Sequence, residues 1–404
     1  MKKEQALHRL YAAACLVFTA LFVFEVPYVV FYAPVFLFTV CAAYRIYCRR
    51  PVRVPPIAVV FALYTAAFLF FAYDPRQGLY YQTYIHIQAV LLFLLGLHFF
   101  TVPDPLRRAQ TLERWFIAVS FMYIIYVGLI FAHHYLFTAA DLEDRFYYSL
   151  WYPNVTKPAT VISMSLLVPF AYGAYALFFG GRGKKVLGAA FIAVTLLVNI
   201  YTATRTLVYL TPVVLLLVFC FWCLQNKKHV RLCFGVCGAC IAVLAGVALF
   251  YHLNKEMLLA SFGDSVFSRF LTYGIGSKGR RTAALYVLKN FSFTYIGSGW
   301  YSSQCGVPHN IWLYVYDYGG IVSLAVYCVF TVLLLRRVVL FLKNRAVPLP
   351  LKCLLTVTFG LVMAEYCLEP FILPLPSFYM LTLFLFGCIS GLAQYHKKEE
   401  ENAL

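Results

Sequence analysis

The sequence predicts an all-α integral membrane protein with about twelve transmembrane helices, and three observations carry that prediction. The chain is 63% hydrophobic and only 12% charged, with a mean hydropathy of +0.78. Runs of about 17–25 apolar residues recur along its whole length, as bilayer-crossing helices require. Hydrophobicity is continuous within each run, which excludes the alternating pattern of an outer-membrane β-barrel. Backbone groups find no water in lipid, and a helix satisfies them within one segment.

The first span runs from about Leu10 to Phe24, and the second from about Pro27 to Tyr47. Others begin near Pro56, Leu79, Trp115, Thr156, Val186, Thr206, Val230, Asn310, Leu351 and Phe378. Charge tests this layout. The segments on one side include Lys2 to Arg9, Arg45 to Arg53, Arg107 to Arg114, Arg182 to Lys185, Lys227 to Arg231, Arg336 to Lys352 and Lys397 with Lys398. They hold 23 of the 33 Lys and Arg and 6 of the 16 Asp and Glu, so the whole formal charge of +17 lies there. That side is cytoplasmic by the positive-inside rule, with both termini on it. The basic balance is therefore topology plus attraction to anionic lipid, and no nucleic-acid partner is expected. The basic start Met1–Arg9 leads into an apolar run without a cleavage region, so no cleavable signal is expected.

The chain reads as one polytopic membrane domain, 1–404, with neither an internal repeat nor a low-complexity linker. Most of its 13 cysteines fall inside spans, and Cys305 alone is clearly in an outer loop, so no disulfide framework is implied. Cys220, Cys223, Cys233, Cys237 and Cys240 lie on adjoining ends of two apolar helices, where Cys behaves as a small hydrophobe. No metal site is expected.

Two outer loops stand out. Residues 138–155 carry Asp141, Glu143, Asp144 and Arg145, followed by a run of aromatics. The large loop 253–308 breaks the charge rule: Lys255, Arg269, Lys278, Arg280, Arg281 and Lys289 face only Glu256 and Asp264. Basic residues on the outer face are disfavoured by topology, so an anion is expected there. Apolar residues from Ala283 to Leu288 are near helical spacing, which predicts a short surface helix over 281–290. Gly297-Ser298-Gly299 is turn material leading to Trp300 and back to the membrane at Pro308-His309-Asn310.

Within this frame a few residues carry chemistry. His309 sits at the re-entry point, where a neutral imidazole accepts a proton near neutral pH; the competing role is an interfacial helix end, with Asn310 as its cap. Arg205 lies in a tight outer turn, Tyr201 to Thr206, where an arginine is costly without a partner and where guanidinium suits bidentate phosphate binding. Arg280 and Arg281 are adjacent and point to different sides of a helix, so one faces ligand and the other water, in an order the sequence leaves open. Asn154 follows Pro153 at a helix entry and reads as a cap. Asp317 lies two helical turns inward of His309, too far for direct contact, and is a candidate for binding a sugar hydroxyl. Glu365 and Glu369 at another outer helix end come after it for the same roles. Cations, a histidine, aromatics and a carboxylate on one membrane face fit a reaction on a lipid-anchored pyrophosphate, with arginines stabilising the leaving group.

At these residues the sequence resembles the O-antigen ligase/polymerase family of bacterial membrane glycosyltransferases. The resemblance rests on Arg280-Arg281, Gly297-Ser298-Gly299-Trp300, Pro308-His309-Asn310-Ile311-Trp312-Leu313 and Gly320. It extends to Thr204-Arg205-Thr206 and to Pro153-Asn154 with Ala159 and Pro169, across about the last two thirds of the chain. The acidic position two residues before the glycine aligned with Gly320 holds Tyr318 here, with Asp317 one residue earlier.

The resemblance implies a metal-independent transferase, without a cofactor, acting on undecaprenyl-pyrophosphate-linked oligosaccharide at the outer face of the cytoplasmic membrane. Arg205 and one of Arg280 and Arg281 would hold the pyrophosphate, and His309 would activate the acceptor hydroxyl. Arg269, Asn154, Asn310, Trp300 and Asp317 would complete the pyrophosphate and glycan site. The expected partners are the lipid-linked glycan, an acceptor glycan, membrane lipids and other polysaccharide-assembly membrane proteins. Polymerisation of repeat units is the reading taken forward: an exposed Cys305 and many cysteines fit an organism without strong extracytoplasmic disulfide formation. Ligation of finished glycan to another acceptor uses the same catalytic parts. A transporter or flippase, the rival of a different class, predicts repeats and midplane charges that the sequence lacks.

Overall fold

The computed structural model describes residues 16–26, 29–47, 54–72, 79–98, 105–137, 146–151, 156–225, 278–369 and 376–401, with isolated positions at 13 and between 231 and 257. These residues form a multi-pass, almost wholly helical membrane protein. Among the described residues, seven helical stretches are long and apolar enough to cross a bilayer, and three shorter apolar ones are Pro34–Ala43, Pro56–Phe71 and Ile85–His98.

The described residues begin with a helical stretch, 16–23, then α1 (Val29–Tyr47), α2 (Pro56–Phe71), α3 (Leu79–His98) and α4 (Pro105–Phe137). Next come two short strands, β1 (Phe146–Tyr148) and β2 (Thr156–Pro158), then α5 (Ala159–Ser165), α6 (Leu167–Phe179), α7 (Arg182–Tyr201) and α8 (Thr206–Gln225). After them lie α9 (Lys278–Lys289), α10 (Trp300–Cys305), α11 (Ile311–Lys343), α12 (Leu349–Leu368) and α13 (Pro376–Glu401). The span expected from Val230 lies largely outside the described residues.

Several expected boundaries move. The helix expected from Trp115 begins at Pro105, so Arg107, Arg108 and Arg114 ride on it and do not sit in a loop. The span expected from Val186 starts at Arg182. The one expected from Thr156 starts later, because residues 156–158 pair with 146–148 as an antiparallel ribbon, Tyr147 opposite Lys157. That ribbon has no counterpart in the expected all-helical layout; its first strand packs against α4. The surface helix expected over 281–290 is α9, shifted by a few residues.

Helices meet closely where glycine removes the side chain. On α3 and α13, a Cβ at Gly96 would lie 2.0 Å from the Phe384 carbonyl oxygen, and one at Gly387 would lie 2.1 Å from that of Phe93. Lipid tails are as apolar as leucine, so close backbone approach and dense van der Waals packing replace the hydrophobic drive. Polar ties add to it. Glu25, at φ 52°, accepts a hydrogen bond from Tyr126 on α4 (2.8 Å) and one from Ser377 on α13 (3.0 Å), and pairs with Lys157 of β2. This carboxylate fastens the first hairpin to three later elements.

Two ion-pair groups mark opposite ends of the bundle. Lys184 at the start of α7 bonds Glu113 near the start of α4 (2.7 Å). At the other ends of α7 and α12 a second group joins Arg280, Glu369 and His309. Substituting Gly387 by Val should lower the thermal midpoint in detergent markedly, since overpacking costs about 1–3 kcal/mol. Gly128→Ala, with nothing within 4 Å of the added carbon, should leave it nearly unchanged, as a fluorescence-monitored melt would read.

Candidate functional site

The site grows from two backbone devices. The first is the turn between α7 and α8. Asn199, fully buried, accepts at Oδ1 from Ser163 of α5 (2.5 Å) and Thr204 (2.7 Å), while its Nδ2 donates to the Thr195 carbonyl (2.8 Å). Its own carbonyl accepts from the Thr204 N–H (2.8 Å), and Ala203 takes φ 50° to close the turn. This network stands in for glycine or proline. It sets half-buried Arg205 at the head of α8, whose first helical bond runs from the Tyr209 N–H to the Arg205 carbonyl (3.0 Å).

The second device is a kink in α11 at Gly320, φ 71° and ψ −173°. The kink frees the carbonyls of Asp317 and Tyr318, and the glycine turn fills them: Gly299 N–H donates to Asp317 O (2.9 Å) and Ser298 N–H to Tyr318 O (3.2 Å). In return Ile321 N–H donates to Tyr295 O (3.0 Å). The two backbones touch, so a Cβ at Gly297 would meet Tyr318 O at 2.4 Å and one at Gly320 would meet Ile296 C at 2.5 Å. Positive φ and close approach both require glycine there.

Asp317 locks this junction. Fully buried, it accepts from the N–H groups of Tyr301 (2.9 Å) and Ser302 (3.0 Å), and the Ser302 hydroxyl bonds it as well. A carboxylate at the first turn of α10 satisfies its orphan donors. The Tyr295 hydroxyl donates to the Asp317 carbonyl (2.8 Å), and burial pushes that phenol up to about 12, which keeps it a donor. Val287, Tyr301 and Tyr316 form a small second core beneath α9 and α10.

Five residues named from the sequence come together here: Arg205, Arg280, Glu365, Glu369 and His309. Arg205 and Arg280 line one polar cavity with Thr160, Ser163, Thr204, Thr206, Glu365 and Glu369. Arg280 pairs with Glu369 and donates to the Leu368 carbonyl (3.3 Å). The other Glu369 oxygen lies 2.9 Å from His309 Nδ1. A neutral His309 that donates from Nδ1 to this carboxylate presents Nε2 as its acceptor. The His309 side chain is 36% exposed and Glu369 only 9%. The histidine is thus held at Nδ1 and partly exposed.

Other candidates lie elsewhere. Arg281 is exposed and is not among the residues that line the cavity, whereas Arg280 is. Asn310 is a helix cap, its Oδ1 accepting from Trp312 and Leu313 N–H groups at 3.1 Å each. Trp300 is 47% exposed and packs on Tyr286 and Tyr301. Asp317, ranked first among the carboxylates by sequence, has its oxygens taken up by α10, whereas Glu369, ranked behind it, is the one that reaches the histidine. Glu369 lies 60 positions from His309, and its only sequence signal is a place four residues after Glu365 at a helix end. Arg269 and Asn154 lie outside the described residues. Among the described residues no three His, Cys, Asp or Glu side chains come close enough to hold a metal ion.

No family model matches the chain, and no curated protein matches it. Asp317→Ala should loosen α10 at a cost of about 1–3 kcal/mol, because a buried and a part-buried N–H group lose their acceptor. Limited proteolysis of the purified protein should then cut within 290–308 faster than in wild type.

Proposed function

We propose that this chain is a membrane glycosyltransferase of the O-antigen ligase/polymerase type, joining lipid-linked polysaccharide repeat units at the outer face of a bacterial cytoplasmic membrane. In this reading it has twelve spans and cytoplasmic termini. One observation carries it: Arg205, Arg280 and Glu369 line one polar cavity, and Glu369 also holds His309 beside it.

The chemistry follows from the groups. Arg205 and Arg280 present planar, permanently charged forks that match phosphate oxygens. The N-terminal end of α8, at Arg205 and Thr206, adds backbone N–H groups and a favourable dipole. A pyrophosphate held there leaves with its charge stabilised, as transition-state charge requires. His309 Nε2 takes the proton from an acceptor sugar hydroxyl as its oxygen bonds to the anomeric carbon. The bond from that carbon to the lipid pyrophosphate breaks on the opposite side, which inverts the configuration. Glu369 fixes the imidazole tautomer and steadies the imidazolium that forms. It also holds Arg280, so base and phosphate clamp share one anchor.

The test is an assay of purified protein with a lipid-pyrophosphate-linked repeat unit and no added acceptor. A product ladder is expected from wild type. His309→Ala should reduce it by at least about 100-fold, the usual scale of a lost general base. Arg205→Ala should reduce it comparably, while Arg281→Ala should keep most of it. Single transfer to a supplied acceptor, without a ladder, would mean ligation. Lipid translocation without transfer would overturn the enzyme reading.

A further inference from the structure

Glu365 is not used by the chemistry above. It lies on the last turn of α12, is 2% exposed, and its Oε1 has no hydrogen-bond partner among the described residues. Yet it lines the same cavity as Arg205 and Arg280. Buried polar atoms are normally bonded, so an unmet acceptor at a cavity wall points to a ligand that supplies the donor.

The neighbouring groups have the same polarity. Ser163 and Thr204 each spend their single hydroxyl proton on Asn199, at 2.5 and 2.7 Å. Their oxygens are therefore left to accept. With Glu365 they add acceptors to the cavity that the two arginines also line. Phosphate oxygens are acceptors and suit the arginines. What complements Glu365, Ser163 and Thr204 is a group rich in O–H or N–H donors that is tied to a phosphate.

We infer that Glu365, Ser163 and Thr204 form the subsite for the first sugar of the donor, the residue bonded directly to the pyrophosphate, and that Glu365 accepts from a hydroxyl or amide N–H of that sugar. This rests on the glycosyl-transfer reading and assigns the part of the same cavity that selects the sugar. Glu365 is thus a specificity residue, distinct from the phosphate clamp and from the base.

Binding of two kinds of probe to the full chain in nanodiscs tests it. One is sugar-free polyprenyl pyrophosphate. The other is a panel of polyprenyl pyrophosphates bearing a single hexose or N-acetylhexosamine. Wild type should bind at least one sugar-bearing lipid tenfold or more tighter than the bare lipid. Glu365→Leu, an apolar replacement of similar size, should erase that preference while binding the bare lipid within twofold of wild type. Glu365→Gln, which keeps the shape and one acceptor, should retain part of the preference and guards against a folding defect in the leucine variant. Arg205→Ala should weaken both kinds of probe together. Sugar preference that survives in Glu365→Leu, or a wild type with no preference for any sugar, overturns the subsite and leaves the phosphate clamp standing. A wild type that binds neither kind of probe overturns the transfer reading and this inference with it.

Discussion

One carboxylate organises one end of this molecule. Glu369 stands just past the end of α12, almost buried, and uses one oxygen for Arg280 and the other for His309 Nδ1. A charge in that position is costly unless it is paired, and each partner here comes from a different part of the chain. Pairing therefore draws α9, the start of α11 and the end of α12 to a common point. It also fixes what the histidine offers: the ring nitrogen turned away from the carboxylate.

The segment between α9 and α11 is shaped by a break in a helix and not by its own residues alone. Continuous helix is the default for a membrane segment because it leaves no backbone group unbonded. Gly320 interrupts that continuity, and the amides of Ser298 and Gly299 take up the carbonyls that are released. Asp317 then spends its charge on the amides at the head of α10. An acidic residue in a span is a functional candidate by default, but here its oxygens are satisfied by the local backbone. The polar residues that face the cavity, Glu365 among them, sit at helix ends where the chain turns.

Much of the architecture was legible before any coordinate. The long apolar runs located the helices, since length and continuity of hydrophobicity are set by the bilayer. Arg205, Arg280 or Arg281, and His309 stood out because cations and a histidine at span ends are expensive there and need a reason. The ribbon 146–148 with 156–158 was not legible, because three-residue strands leave no periodic trace. The role of Asn199 was equally hidden: a buried asparagine that builds a turn looks like any polar residue inside an apolar run.

The sequence by itself determined that this is a multi-pass helical membrane protein with an unusually basic connection before His309, because composition and run length act residue by residue. Only the tertiary structure decided which carboxylate serves the histidine. Glu369 and Asp317 are similar as sequence signals, one at a helix end and one inside a span. The kink at Gly320 gives Asp317 to α10, and the packing that brings the end of α12 beside α9 gives Glu369 to Arg280 and His309. Spacing along the chain cannot carry that choice, since it depends on which helix ends meet in space.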